Sequence, residues 1–309
     1  MFVNPQSRAN RRDPGVASRF AAILGDAGRV IAPRSLEELE SEARALAAAP
    51  PAVIGVHGGD GTLHRTLGAL IGAGGDRPLP PIAILTGGTM NVVASSLNIR
   101  VSPRVLLRQI VEDFRAQRPS PTVSRRCLKV GRAFGFVFGN GLMANFLEEY
   151  YAQGGYGAGR ALYILARTFT SGLVSGAYSR KIFRRFRGRV TVDGQVLPWT
   201  ELTGIGAATV REVGLGFKLN HRADEDPDRF SALAIHAGAV ALASDLIPVH
   251  GGRGIAPARA WSALATRLVI EPEEPNTGYT IDGDLYRAEG PLEIGLGPAL
   301  RFVRPRGQR

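Results

Sequence analysis

The sequence predicts an N-terminal α/β domain with a parallel sheet, followed by a mostly antiparallel β domain. Three observations predict it. Over the first 115 or so residues, short apolar runs alternate with segments of helical period. Two glycine turns, Gly58-Gly59-Asp60-Gly61-Thr62 and Thr86-Gly87-Gly88-Thr89-Met90-Asn91, each follow an apolar run and precede a helical pattern. After about residue 122 the pattern becomes short apolar runs separated by Gly, Pro and Asp.

Phe2-Val3 opens the first strand. Asp13-Pro14 reads as an N-cap with proline at the first helical position, leading into Val16, Phe20, Ile23 and Leu24. Val30-Ile31 is a short strand. Ser35 and Glu38 stand at capping-box spacing and open a helix through Leu39, Ala43 and Leu46, which Pro50-Pro51 stops. Val53 to Val56 is a buried strand, and Leu63, Leu67, Leu70 and Ile71 recur at helical spacing after the first glycine turn. Ile82 to Leu85 is the next strand, and a helix through Val93 and Leu97 comes after the second turn. Arg104 to Arg115 is a further helix, and Pro119 and Pro121 mark a linker. Beyond it the runs Phe134 to Phe138, Val190 to Val192, Leu268 to Ile270 and Leu292 to Ile294 read as strands, with one helical insertion at Gly159 to Phe169. Domains are therefore expected over 1–120 and 121–309, with a return of the C-terminal strand to the first domain as an option.

A chain of 309 residues is long enough for two cores. The lone Cys127 excludes an internal disulfide and fits a reducing compartment. No secretory leader is visible. The apolar stretches Ala161 to Tyr178 and Phe230 to Val249 carry Arg167, and His236 with Asp245; neither is a clean run of about 20 apolar residues. A cytoplasmic chain is expected. The net charge of +11 rests on 35 arginines and three lysines. It reads either as codon bias or as a field for anionic lipid surfaces and phosphates. No basic stripe interleaved with aromatics and no nucleic-acid module is present, so no nucleic-acid partner is expected.

Ligands of parallel α/β sheets bind beyond the carboxyl ends of the strands, where both glycine turns lie. Glycine lets backbone N–H groups approach a phosphate, and a helix N-terminus adds unpaired donors and a positive dipole end. Asp60 puts a carboxylate into that cradle, which calls for a divalent cation or a hydroxyl proton beside it. Nucleotide–metal chemistry is the reading, with Thr62, Thr89 and Asn91 offering side-chain hydrogen bonds. Asp282-Gly283-Asp284 reads as a hairpin turn or as a carboxylate that accepts a hydroxyl proton. Asp224 to Asp228 is either a solvated acidic loop or a hard-cation site. Arg180 to Arg187 interleaves cations with Ile182, Phe183 and Phe186, and suits an anionic bilayer or a solvated edge.

These pieces, in this order, resemble the bacterial diacylglycerol kinase-like lipid kinases, relatives of the diacylglycerol and sphingosine kinase catalytic domains. The resemblance rests on Val3-Asn4-Pro5, Gly58 to Thr62, Gly88 to Asn91, Arg222 to Asp228 with Phe230, and Asp282-Gly283-Asp284. It implies a nucleotide-binding α/β domain, a C-terminal β-sandwich and an active site between them. Asn4, Gly58, Gly59, Asp60, Gly61, Thr62, Leu63, His64, Gly88, Thr89 and Asn91 would bind ATP. Asp60 would serve the catalytic Mg²⁺ network, Asp284 would accept the proton, and Asp228, with backbone oxygens near Glu225 and Phe230, would match a structural Mg²⁺ site. The implied partner is a lipid at an anionic membrane surface, approached peripherally, and a homodimer stays open.

Departures from the family pattern are specific. Asp284 stands where glutamate is usual, Val92 comes after Asn91 where Asp is often found, Arg229 replaces a frequent glycine, and Gln6-Ser7-Arg8 comes after Pro5 in place of Ser-Gly. The enzyme alternative is an NAD kinase, which shares the first glycine turn but carries an Asn-Glu pair that Asn91-Val92 does not supply. A catalytically weak nucleotide- or lipid-binding regulator is the alternative of another class.

Overall fold

The computed structural model describes residues 1–75, 77–152, 157–173 and 176–307. The chain divides into two units, Met1–Arg125 with Pro298–Arg309, and Arg126–Gly297.

The first unit begins with β1 (Phe2–Val3), α1 (Arg8–Arg12), α2 (Val16–Leu24) and α3 (Leu36–Ala48). Next come β2 (Ile54–Gly58), α4 (Asp60–Gly74), β3 (Ile82–Thr86), α5 (Val92–Ser96) and α6 (Pro103–Arg115). β1, β2 and β3 run parallel, with Phe2 beside Val56 and Ile54 beside Ile82. Residues 54–58 of β2 and 82–85 of β3 are buried throughout, since helices cover such a sheet on its faces. The capping box at Ser35 is present: its hydroxyl accepts from the Glu38 amide at 3.2 Å. Glu38 reaches back one residue further than expected, to the Arg34 amide at 2.7 Å. Two details differ from the sequence expectation. Asp13-Pro14 does not start α2; the helix starts at Val16 behind Gly15, and Asp13 closes α1, a short arginine-rich helix with no apolar period to betray it. Val30-Ile31 contributes a single bridge, from Ile31 to Phe2.

β4 (Thr122–Val130) leads out of the first unit. The second contains β5 (Ala133–Gly135), β6 (Val137–Gly141), α7 (Leu142–Ala152), α8 (Ala158–Leu173) and α9 (Ala177–Ile182). β7 (Phe186–Val192), β8 (Gln195–Val196), β9 (Glu201–Leu202), β10 (Gly204–Ala208) and β11 (Phe230–Ile235) come next. α10 (Ala239–Ala243), α11 (Leu246–His250), β12 (Ala260–Ala265), β13 (Arg267–Pro272), β14 (Thr277–Ile281), β15 (Asp284–Ala288) and β16 (Leu292–Val303) complete it. One antiparallel sheet has the order β12-β11-β10-β6-β14-β15. In the other, β13 pairs antiparallel with β7 and β16. The two share one core, in which Val190, Leu268 and Ile294 meet Phe138, Ile205 and Phe230. This is a β-sandwich.

More helix is inserted than the one predicted segment. α7 escapes sequence reading because its inward face carries Asn145 and Glu149, which breaks the apolar period. Those polar residues are spent on α9: Asn145 donates to the Ile182 and Arg184 carbonyls, and Glu149 pairs with Lys181 at 2.7 Å.

β16 ends in the first unit, where Phe302 lies beside Ile82. Side chains of α6 hold the chain beyond it. Gln109 accepts from the Arg306 amide and donates to the Arg304 carbonyl. The buried Asp113 carboxylate takes Arg118 at 2.8 Å, Ser120 at 2.9 Å and a short bond from Arg306. Burial pushes its pKa up, but these three donors outweigh that and hold it below the ordinary 3.8. A depressed carboxyl stabilises the fold above its unfolded pKa and loses that contribution as pH falls through the folded value. Asp113→Asn is expected to lower stability by about 2 kcal/mol at neutral pH and to flatten the acid limb below pH 3.8. Urea unfolding at neutral and acid pH checks both; equal losses at the two pH values would contradict the assignment.

Candidate active site

The site grows from the register of two strands. Gly58, the last residue of β2, lies beside Thr86, the last of β3, so both glycine turns begin at one level of the sheet. The Gly87 amide donates to the Gly58 carbonyl at 2.8 Å. Beyond it the turns touch backbone to backbone: a Cβ on Gly88 would lie 2.5 Å from the Gly59 Cα. A side chain at 88 would wedge them apart. Sequence reasoning assigns these glycines to a ligand's approach; the geometry adds that the turns need them to meet each other.

α4 starts at Asp60 with Gly59 as N-cap. Its first helical bond runs from the Leu63 amide to the Gly59 carbonyl at 3.1 Å. The amides of Asp60, Gly61 and Thr62 precede that bond, and the helix dipole points its positive end the same way. Asp60 is half-buried among them. Leu63 and His64 face inward and are buried, so these two offer a ligand only main chain.

Asn4 and Asn91 shape the two turns. Asn4 donates to the Thr62 hydroxyl at 3.0 Å, which leaves the threonine's proton for a donor bond. Asn91 takes the left-handed conformation, which asparagine tolerates better than most residues. Its amide closes on its own turn, accepting from the Gly88 amide at 3.1 Å and donating to the Gly88 carbonyl at 2.9 Å. Thr89 stands exposed on the turn. The structure thus brings Asn4, Gly58 to Thr62 and Gly88 to Asn91 together, with Asn91 spent on the turn itself.

His57 and Asn10 belong to this arrangement, although no sequence motif marks either. His57 is buried under the second turn, where a Cβ on Gly87 would come 2.7 Å from its Cε1. Its Nδ1 lies 2.8 Å from the Leu85 carbonyl and its Nε2 3.0 Å from Asn10 Oδ1. Asn10 in turn donates to the Asn4 carbonyl at 2.8 Å. The ring braces β2, β3 and α1 at the level of the cradle. Both partners are acceptors, so it satisfies both only as an imidazolium. Burial works against that charge and lowers its pKa, opposed by the Leu85 bond and Asp13.

Asp282, Asp284 and the acidic loop lie in the second unit. Asp282-Gly283 is a two-residue loop joining β14 to β15, with φ of 50° and 91° and Ile281 opposite Asp284. Positive φ at both positions is what a tight hairpin demands of Asp-Gly. Asp282 Oδ1 accepts from the Phe136 and Val137 amides at 2.8 and 2.9 Å, and the Tyr151 hydroxyl donates to the Gly283 carbonyl. Asp282 therefore serves the fold, while Asp284 stands half-buried at the start of β15.

Two carboxylates of the loop expected to hold a structural Mg²⁺ are engaged by arginines. Asp228 is paired with Arg126 at 2.9 Å, Glu225 with Arg222 at 2.9 Å, and Phe230 is a buried member of β11 opposite Ala265. Hard cations need several oxygens turned to one point. Among the described residues no three His, Cys, Asp or Glu side chains are so grouped. The basic segment is also partly neutralised. Lys181 pairs with Glu149, and Arg185 and Arg187 share Glu201.

Residues 1–117 match the diacylglycerol kinase catalytic domain model. No curated protein matches the chain by sequence. Three solved structures from Bacillus anthracis str. Sterne are similar in fold. One, a candidate diacylglycerol kinase, shares 16% identity at a TM-score of 0.73, over 99% of this chain and 94% of that one. A second, described as a diacylglycerol kinase, shares 15% identity at 0.68, over 99% and 96%. A third, again a candidate diacylglycerol kinase, shares 18% identity at 0.72, over 98% and 96%. The catalytic-domain match falls on the segment that builds the glycine cradle, and over nearly its whole length the chain is similar in fold to these three structures.

Proposed function

We propose that the protein is an ATP- and Mg²⁺-dependent kinase that phosphorylates a hydroxyl of a diacylglycerol, sphingoid or related lipid. The observation that carries this reading is the contact of the Gly59 and Gly88 turns at the carboxyl ends of β2 and β3, with Asp60 opening α4 beside them.

Phosphoryl transfer asks a protein for alignment, charge stabilisation and a base. The amides of Asp60 to Thr62 and of the 87–89 turn present donors to phosphate oxygens, and the Thr62 hydroxyl, oriented by Asn4, adds one more. The Asp60 carboxylate and Thr62 hydroxyl are hard oxygen donors, of the kind that holds Mg²⁺ together with nucleotide phosphates. Mg²⁺ bound there would supply charge neutralisation. Asp284 takes the proton of the lipid hydroxyl in this scheme, since its neighbour Asp282 is committed to backbone amides. Incubation with labelled ATP and a mixed lipid extract, with identification of the labelled product, tests the reading. A label found on NAD and on no lipid would refute it.

The lipid partner calls for approach to an anionic membrane surface. No helix among the described residues is long and apolar enough to cross a membrane. Exposed Leu162 and Tyr163 on α8, which packs against α9, and the exposed cations from Arg180 to Arg187 support a peripheral contact.

Asp60→Ala is expected to cut turnover by roughly 10²–10³-fold at an unchanged melting temperature; near-native turnover would sink the role given to Asp60. Asp284→Asn should leave nucleotide binding intact and slow turnover by roughly 10²–10⁴-fold. Full activity of that variant would move the proton to another group. Binding to vesicles containing anionic lipid should weaken with salt and on replacing Arg180, Arg184, Arg185 and Arg187 by glutamine, at about 1 kcal/mol per cation at most. Equal sedimentation with neutral and anionic vesicles would remove the electrostatic contribution.

A further inference from the structure

The acidic loop carries four carboxylates, and each faces an arginine. Arg211 Nε lies 3.9 Å from Asp224, Arg222 2.9 Å from Glu225, Arg229 3.8 Å from Asp226 and Arg126 2.9 Å from Asp228. The charges balance one for one. A hard divalent cation is drawn to excess negative charge and to oxygens that converge on one point. The loop's carboxylates present neither: each is matched by an arginine, and among the described residues no three such side chains are grouped to hold an ion. Bringing Asp228 to a cation would mean releasing Arg126 and leaving a fixed positive charge beside the incoming one.

Arg126 differs from the other three. Arg222 and Arg229 pair within three residues of chain, whereas Arg126 reaches from β4 across 102 residues to Asp228. Its Nη1 also donates to the Gly297 carbonyl at 3.0 Å. One guanidinium thus joins the loop carboxylate to a main-chain oxygen of β16, which is the connection that a carboxylate- and carbonyl-bound cation makes. The planar fork permits it, since two N–H groups point in fixed and different directions; an ammonium has no such geometry. The loop is further closed by the Asp228 amide on Asp226 Oδ1 at 2.9 Å.

We infer that Arg126 does the work of a structural divalent cation in this chain, tying the 224–228 loop to β4 and β16, so that the fold of the second unit needs no Mg²⁺. Thermal unfolding of the full chain tests this, with no nucleotide present and Asp60→Ala as the background, so that a cation bound at the catalytic cradle does not enter and a failure of the kinase reading leaves the result untouched. The melting temperature is expected to be the same in EDTA and in millimolar Mg²⁺ or Ca²⁺. Adding Arg126→Ala should lower it in EDTA, and either cation should restore part of the loss unless Asp228→Ala is also present. Should the alanine variant not fold, Arg126→Lys is read instead, with an intermediate melting temperature and no cation response expected. Three results would overturn the inference. These are an unmodified loop stabilised by cation through Asp228, an Arg126 variant that melts like its parent, and a destabilised alanine variant that neither cation helps.

Discussion

Two turns that touch without side chains set the terms for the first unit. Gly59 and Gly88 meet backbone to backbone, and that contact fixes where β2 and β3 stop, where α4 begins and which amides face outward. Everything nearby accommodates it. His57 fills the space below and reaches Leu85 and Asn10. Asn91 folds its amide back into its own turn, and Asn4 bridges to Thr62. Polar side chains here hold the backbone of the two turns, so that little reorganisation is left when an anion arrives.

The arginine content has a structural explanation in part. Guanidinium forks close carboxylates throughout the chain, some buried and some exposed. Arg118 and Arg306 meet on Asp113. Arg259 grips the buried Asp245 with two bonds at 2.6 and 2.9 Å, and Arg267 pairs with Glu293 across β13 and β16. A group that is always charged and offers two directed bonds suits such positions better than lysine does. The net charge of +11 is what remains after this internal use.

The elements that build the cradle are legible in the sequence because their signals are local. Gly58 to Thr62 between an apolar run and a helical period can hardly be anything but a strand–turn–helix, and Ser35 with Glu38 names its own cap. The strands at 190, 268 and 292 are legible for the same reason. The hidden features depend on distant partners. α7 looks irregular until Asn145 and Glu149 are seen to face α9. His57 looks like a polar residue in a strand until Asn10 and Leu85 close on it. Asp224 to Asp228 looks like a cation loop until Arg126, 102 residues before Asp228, is placed beside it. Asp282-Gly283-Asp284 is legible as a hairpin, but which of the two carboxylates is spent on the fold depends on amides of Phe136 and Val137.

The path of β16 bears on how the protein is made. Residues 126–297 form an uninterrupted unit that a ribosome can deliver whole, whereas the unit built from residues 1–125 also uses residues 298–309. Domains of a nascent chain generally mature from the N-terminus onward. Here the first unit also draws on residues 298–309. Until Phe302 reaches Ile82 and Arg306 reaches Asp113, the leading half of the chain stands with a sheet edge uncovered and a buried carboxylate short of a partner. The cradle-bearing unit therefore needs both ends of the chain, whereas residues 126–297 carry the other core by themselves.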